Sequence, residues 1–191
     1  MTNILTKRNA AGLLDRRSHV RSPVYVPFSA WAALSASIIA GLVFAALDIG
    51  LGWALRGISP WTSLRMIGAI VLGPAVLSSS DTFDPAVVLV AIFTHLMLST
   101  VYGILLALLM PAVDIAWGIV LGGFYGLALY YVNFYGLNAF SPWFAQQRDW
   151  INLASHFAFG AVLACAYTLI NTRQVIGPHD PTMRSRAQQS S

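Results

Sequence analysis

The chain has 191 residues, 57% of them hydrophobic and only 9% charged, with a mean hydropathy of +0.68 and a formal net charge of +4. A soluble domain carries roughly a quarter charged residues, so this composition excludes an ordinary water-soluble fold. All seven acidic residues are Asp, and the single cysteine, Cys165, falls inside an apolar run, which excludes an internal disulfide and makes it a small packing residue.

Residues 1–28 form a polar tail with Lys7, Arg8, Arg16, Arg17 and Arg21. The Arg16-Arg17 pair is followed by Pro23, Pro27 and a 27-residue apolar run over 29–55. Such a run is too long for a cleavable export signal and is expected to be an uncleaved first span. After it, Ser59 suits a helix cap, Pro60 a first turn, and 61–73 is mostly apolar before Pro74 interrupts it. At about 13 residues this helix is too short to cross a hydrocarbon layer of about 30 Å, so 61–77 is expected to be interfacial or re-entrant rather than a fifth span.

Three further runs, 86–110, 115–133 and 151–171, are each long enough to cross at about 1.5 Å per residue. The connection from Pro111 to Asp114 is short, which predicts that spans two and three are antiparallel neighbours. The loop 135–150 carries Pro142-Trp143 and Trp150, and Trp31, Trp53, Trp61 and Trp117 also sit near span ends, where indoles suit the headgroup layer. A polar tail, 172–191, closes the chain. The expected architecture is an all-α membrane protein: one domain over 29–171, a four-transmembrane-helix bundle with an extra short helix after the first span.

With four crossings, both tails lie on one side. Eight basic residues then face that side, counting Arg173, Arg184 and Arg186, against Arg56, Arg65 and Arg148 on the other. The positive-inside rule therefore predicts cytoplasmic termini in a cytoplasmic (inner) membrane. The net positive charge reads as this topology signal and not as a nucleic-acid surface, because the arginines sit on polar tails.

Small side chains recur every four residues in each span: Ala33, Ser37, Gly41, Ala45; Ser99, Gly103, Ala107; Gly118, Gly122, Gly126; and Gly160, Ala164, Thr168. Residues four apart share a helix face, and small ones let backbones approach where lipid supplies no driving force for association. These stripes predict the seams of the bundle, or equally a homodimer or a contact with another membrane protein.

His95 and His156 each stand four residues before a stripe, at Ser99 and Gly160, and so point toward helix contacts. Asp48 and Asn133 complete one polar side chain per span. Counted from the outer ends, Asp48 lies about 10 Å deep, His156 about 8 Å, His95 about 14 Å and Asn133 near the surface, so one outer cluster is geometrically open to them. The main expectation is a hydrogen-bonded network holding the bundle together. Alternatives are proton handling or metal binding by Asp48, His95 and His156, or a haem held by the two histidines, for which a depth mismatch of about 6 Å is awkward. No phosphate loop, Cys-x-x-Cys pair or His-Glu-x-x-His helix occurs, which points away from an enzyme. A small oligomeric transporter is a further alternative, although His95 to Leu108 and His156 to Leu169 do not match as a repeat.

The run His95-x-x-x-Ser99, Trp117-Gly118-x-x-x-Gly122, Gly136-Leu137, Pro142-Trp143 and His156 resembles the second half of the YagU-type bacterial inner-membrane proteins, over roughly residues 90–170. The resemblance implies a small multi-span protein of the bacterial cytoplasmic membrane, from a family without an assigned activity, and draws attention to His95 and His156. The sequence as a whole predicts a non-enzymatic accessory or interaction protein embedded in the lipid bilayer.

Overall fold

The computed structural model describes residues 27–78, 81–110 and 113–175, with side chains as far as Asn171. The basic residues of the two tails fall outside this part except Arg173, which the last helix includes, so that helix runs beyond the expected end at 171; Pro111 and Ala112 of the short turn also fall outside. The described residues are helical, in the order α1 (Ala30–Arg56), α2 (Pro60–Leu72), α3 (Pro85–Leu109), α4 (Ile115–Tyr131) and α5 (Trp150–Val175). Four of these, α1, α3, α4 and α5, are long and apolar enough to cross a membrane.

Local chemistry explains where the helices begin. The carboxylates of Asp84 and Asp114 accept from the first free backbone N–H groups of α3 and α4, and Asp149 does the same for Ile151 and Asn152 of α5. Ser29 and Ser59 cap α1 and α2, the latter with Pro60 in the first turn. Helix α1 ends at Gly57, which takes the left-handed conformation (φ 66°) that a side chain would disfavour.

Every neighbouring pair of spans runs antiparallel. Gly41 of α1 lies against Ser99 of α3, and Gly103 of α3 against Ser37 of α1. At one end of the bundle Asn171 donates to the carbonyl of Pro27, so the start of α1 and the end of α5 lie together. At the opposite end Arg56 of α1 pairs with Asp149. In space the order is α4, α5, α1, α3, α2, with each helix packed on the next.

This order corrects one expectation. Spans two and three, α3 and α4, are consecutive and antiparallel but are not a close-packed pair. They meet through long side chains: the Tyr125 hydroxyl donates to the Tyr102 carbonyl at 2.7 Å and the Tyr102 hydroxyl to Asn133 Oδ1 at 2.6 Å. A short connection constrains the helix ends, whereas the small residues decide which faces close.

The closest faces belong to α4 and α5. A Cβ added at Gly122 would fall on the carbonyl of Gly160, one at Gly126 on the carbonyl of His156, and one at Gly160 on the carbonyl of Gly122. These glycines let the two backbones touch. Gly118, the remaining member of that stripe, would meet the flexible end of Met110 at 2.7 Å and otherwise make ordinary contacts with Thr168 and Val113. The glycine seams are thus occupied within one chain. Facing outward are large apolar side chains such as Leu42, Leu89, Phe93, Leu108 and Phe124, and exposed indoles ring both ends, Trp31 and Trp117 at one, Trp53 and Trp150 at the other.

Helix α2 lies along the first turns of α3, with Gly68 over the Val87 carbonyl and near Ala91. Its 13 residues extend about 20 Å, short of a crossing. Arg65 is buried in it, and its guanidinium donates to the carbonyls of Val76 and Thr82, so the following loop is wrapped onto the helix.

Candidate functional site

The end of the bundle away from the two chain-end segments is covered by α2 and by a 3₁₀ segment, Pro142–Gln147. These two pieces are stapled together. The Trp143 indole N–H donates to the Met66 carbonyl at 3.0 Å, and Gln147 Nε2 approaches the Met66 sulfur at 3.0 Å. Beneath them lies a cavity of about 180 Å³, bordered by residues of all four spans as well as the cover. Asp48, His95, Asn133 and His156 all line it. A smaller space of about 80 Å³ continues inward between α3 and α4, the pair that does not close.

The polar side chains form a run of hydrogen bonds that reaches the backbone of Asn152, whose side chain then makes a separate bond. Tyr102 donates to Asn133 Oδ1; Asn133 Nδ2 reaches His156 Nε2 at 3.4 Å; His156 Nδ1 donates to the Asn152 carbonyl at 2.8 Å; and Asn152 Nδ2 donates to Gln147 Oε1 at 3.1 Å. For His156, one nitrogen donating and the other accepting from an amide is the pattern of a neutral imidazole. Asn133 reaches it because the last turn of α4 widens: the Leu137 N–H bonds back five residues to the Val132 carbonyl. His95 is tied to the opposite wall, its Nε2 donating to the Gly41 carbonyl at 2.8 Å.

Phe44 stands between the histidines. Its ring stacks on His95 (centroids 5.5 Å, planes 28° apart) and meets His156 edge-on (4.8 Å, 88°). Tyr130 and Phe134 enclose His156 from other sides, at 5.6 and 5.4 Å. This arrangement does not fit a haem shared by His95 and His156, because Phe44 occupies the gap and His156 has both ring nitrogens engaged. Nor, among the described residues, do three His, Cys, Asp or Glu side chains group closely enough to hold a metal ion.

Asp48 differs from the rest. It faces the cavity one helical turn beyond Phe44, and it makes no hydrogen bond to any described residue.

Several members of the site carried a sequence signal that spacing reveals. Phe44 and Asp48 lie three and seven residues after Gly41, Tyr102 seven after His95, and Asn152 four before His156, all distances that return to one helix face. Trp143 and Gln147 carried none, because they come from a segment with no helical period to read.

No protein-family model, characterised protein or solved structure matches this chain.

Proposed function

We propose that this is a multi-pass protein of the bacterial cytoplasmic membrane, both termini cytoplasmic, that acts as a non-enzymatic accessory or interaction protein through a ligand-binding cavity in the outer half of its bundle. The observation carrying this reading is the convergence of one polar residue from each span, Asp48, His95, Asn133 and His156, on one partly open cavity. Ionisable and amide groups are costly at membrane depth and mark functional sites by default, and an apolar cavity with a few convergent polar groups suits a small ligand. The basic residues flanking the first and last spans support the orientation, and the YagU-type resemblance of residues 90–170 supports the membrane.

Two experiments test it. Alkaline phosphatase fused at either end should be inactive if both ends are cytoplasmic, and activity at one end would overturn the topology. In a thermal-shift screen of small molecules on protein in lipid nanodiscs, stabilising compounds should lose their effect in Leu98→Trp, which fills the cavity wall. Stabilisation that is equal in both proteins, or absent in the native one, would overturn the binding role.

A second reading is proton handling by Asp48, His95 and His156, favoured by their all bordering one cavity. Vesicles containing the protein would then show a proton leak that Asp48→Asn abolishes.

A further inference from the structure

The outer end of the described molecule holds three guanidinium groups, and each is held elsewhere. Arg56 is paired with Asp149. Arg65 is bound to the carbonyls of Val76 and Thr82. Arg148 donates twice to the Phe134 carbonyl, at 2.9 and 2.7 Å, and lies over the Tyr135 ring at 4.3 Å. Four carboxylates share this end: Asp81 accepts from Thr62, Asp84 caps α3, Asp149 is paired, and Asp48 alone faces the cavity without a hydrogen-bond partner. None of the three guanidinium groups hydrogen-bonds Asp48, and of the four carboxylates only Asp48 borders the cavity.

The cavity that the carboxylate faces is lined by aromatic rings as well as by aliphatic and polar side chains. Phe44, Phe134 and Phe144 border the same space. The face of an aromatic ring is negative and attracts cations, most strongly where water is excluded. A half-buried carboxylate gains from a cationic partner, and aromatic faces in the same cavity add attraction for an ammonium group. The size is also restrictive. A cavity of about 150 Å³ accommodates a benzene ring, and this one measures about 180 Å³, which leaves room for a ring-sized apolar body and a pendant amine.

We propose that the cavity binds a small lipophilic monoamine, its ammonium group on the Asp48 carboxylate and its apolar part among Phe44, Phe134 and Phe144. This rests on the ligand-binding role proposed above and names the chemical class of the ligand. The carboxylate selects for charge and the rings for an apolar body, so an anion or a multiply charged polyamine is disfavoured. A lipophilic amine also concentrates in the bilayer, on the same side of the desolvation barrier as the site.

Isothermal titration of the full chain in lipid nanodiscs, corrected with empty discs, decides it, with benzylammonium, benzyl alcohol and benzoate as probes. Benzylammonium should bind saturably at one site and at least tenfold more tightly than the other two, as expected for a charge-assisted contact. Asp48→Asn should erase that preference, weakening benzylammonium at least tenfold while leaving benzyl alcohol within twofold. Phe44→Leu, which keeps bulk but removes the ring, should weaken benzylammonium about two- to thirtyfold. The comparison among probes needs no substitution, so it stands even if Asp48→Asn fails to fold. Saturable binding of benzyl alcohol or benzoate as tight as benzylammonium would overturn the amine class and leave a ligand cavity. Unchanged benzylammonium affinity in Asp48→Asn would overturn the role of the carboxylate. No saturable binding of any probe would overturn the amine proposal, and the small-molecule screen would then decide the broader role on its own.

Discussion

Replacing Gly126 with alanine places a methyl group on the carbonyl oxygen of His156, far inside ordinary contact distance, with the carbonyl carbon at 2.8 Å and the Gly160 nitrogen at 3.2 Å. All three atoms are backbone, so no rotamer change relieves the overlap and α5 itself must move away from α4. Overpacking of this kind costs about 1–3 kcal/mol. The same substitution also gains up to about 1 kcal/mol of helix propensity, which obscures the packing term if Gly126 is measured alone. Gly50 provides the control: it lies in α1, and a Cβ there meets nothing within 4 Å. Both changes carry the same propensity gain, so the difference between Gly126→Ala and Gly50→Ala isolates the seam, and it should be about 1–3 kcal/mol. Reversible unfolding in mixed micelles of detergent and dodecyl sulfate measures both. Because α5 carries His156, Gly126→Ala should also disturb the Asn133–His156 contact, whereas Gly50→Ala should not. Equal stabilities within about 0.5 kcal/mol would refute the reasoning that α4 and α5 are held at backbone contact.

Tyr102→Phe removes the donor to Asn133 and should cost about 0.6–1.7 kcal/mol, the range for hydrogen bonds between membrane helices; in a double-mutant cycle with Asn133→Leu the effects should be clearly less than additive, and strict additivity would deny the bond. Asp149→Ala should destabilise more than Arg56→Gln, because Asp149 also caps α5, a role worth about 0.5–2 kcal/mol, while a part-exposed ion pair contributes at most about 1 kcal/mol. Equal losses would mean the cap adds nothing. Trp143→Phe deletes the indole donor to Met66 and should speed amide exchange in 142–147 while the middle of α5 keeps its protection; unchanged exchange in the cover would show that this staple does not hold it shut.

Much of this molecule was legible in its residues one at a time. Hydropathy is a property of each segment in its solvent, so runs such as 86–110 announce a membrane helix whatever stands beside them. Capping is equally local: Ser59-Pro60 marked the start of the short helix within one residue. The four-residue spacing of Gly122 and Gly126 put both on one face, and the spacing from His95 to Ser99 and from His156 to Gly160 put the imidazoles on the faces that carry small residues.

Which face meets which is a different kind of question. All four spans are apolar on nearly every side, so the linear pattern contains no term that ranks one pairing over another, and the short link at 111–114 favoured a close α3–α4 pair. Packing decided otherwise: α4 closes on α5 because glycine faces glycine there, and α3 closes on α1 because Gly41 faces Ser99 and Gly103 faces Ser37. The cavity is what remains where α3 and α4 do not close. Its cover depends on a bond between residues 77 positions apart, Trp143 and Met66, and the position of Asp48 on three arginines whose hydrogen bonds go elsewhere. The sequence by itself determined four rods long and apolar enough to cross a membrane and where they begin, because those follow from local transfer and capping energies. Only the tertiary structure decided the helix order, the cavity and the carboxylate facing it, because each depends on contacts between residues that no local pattern relates.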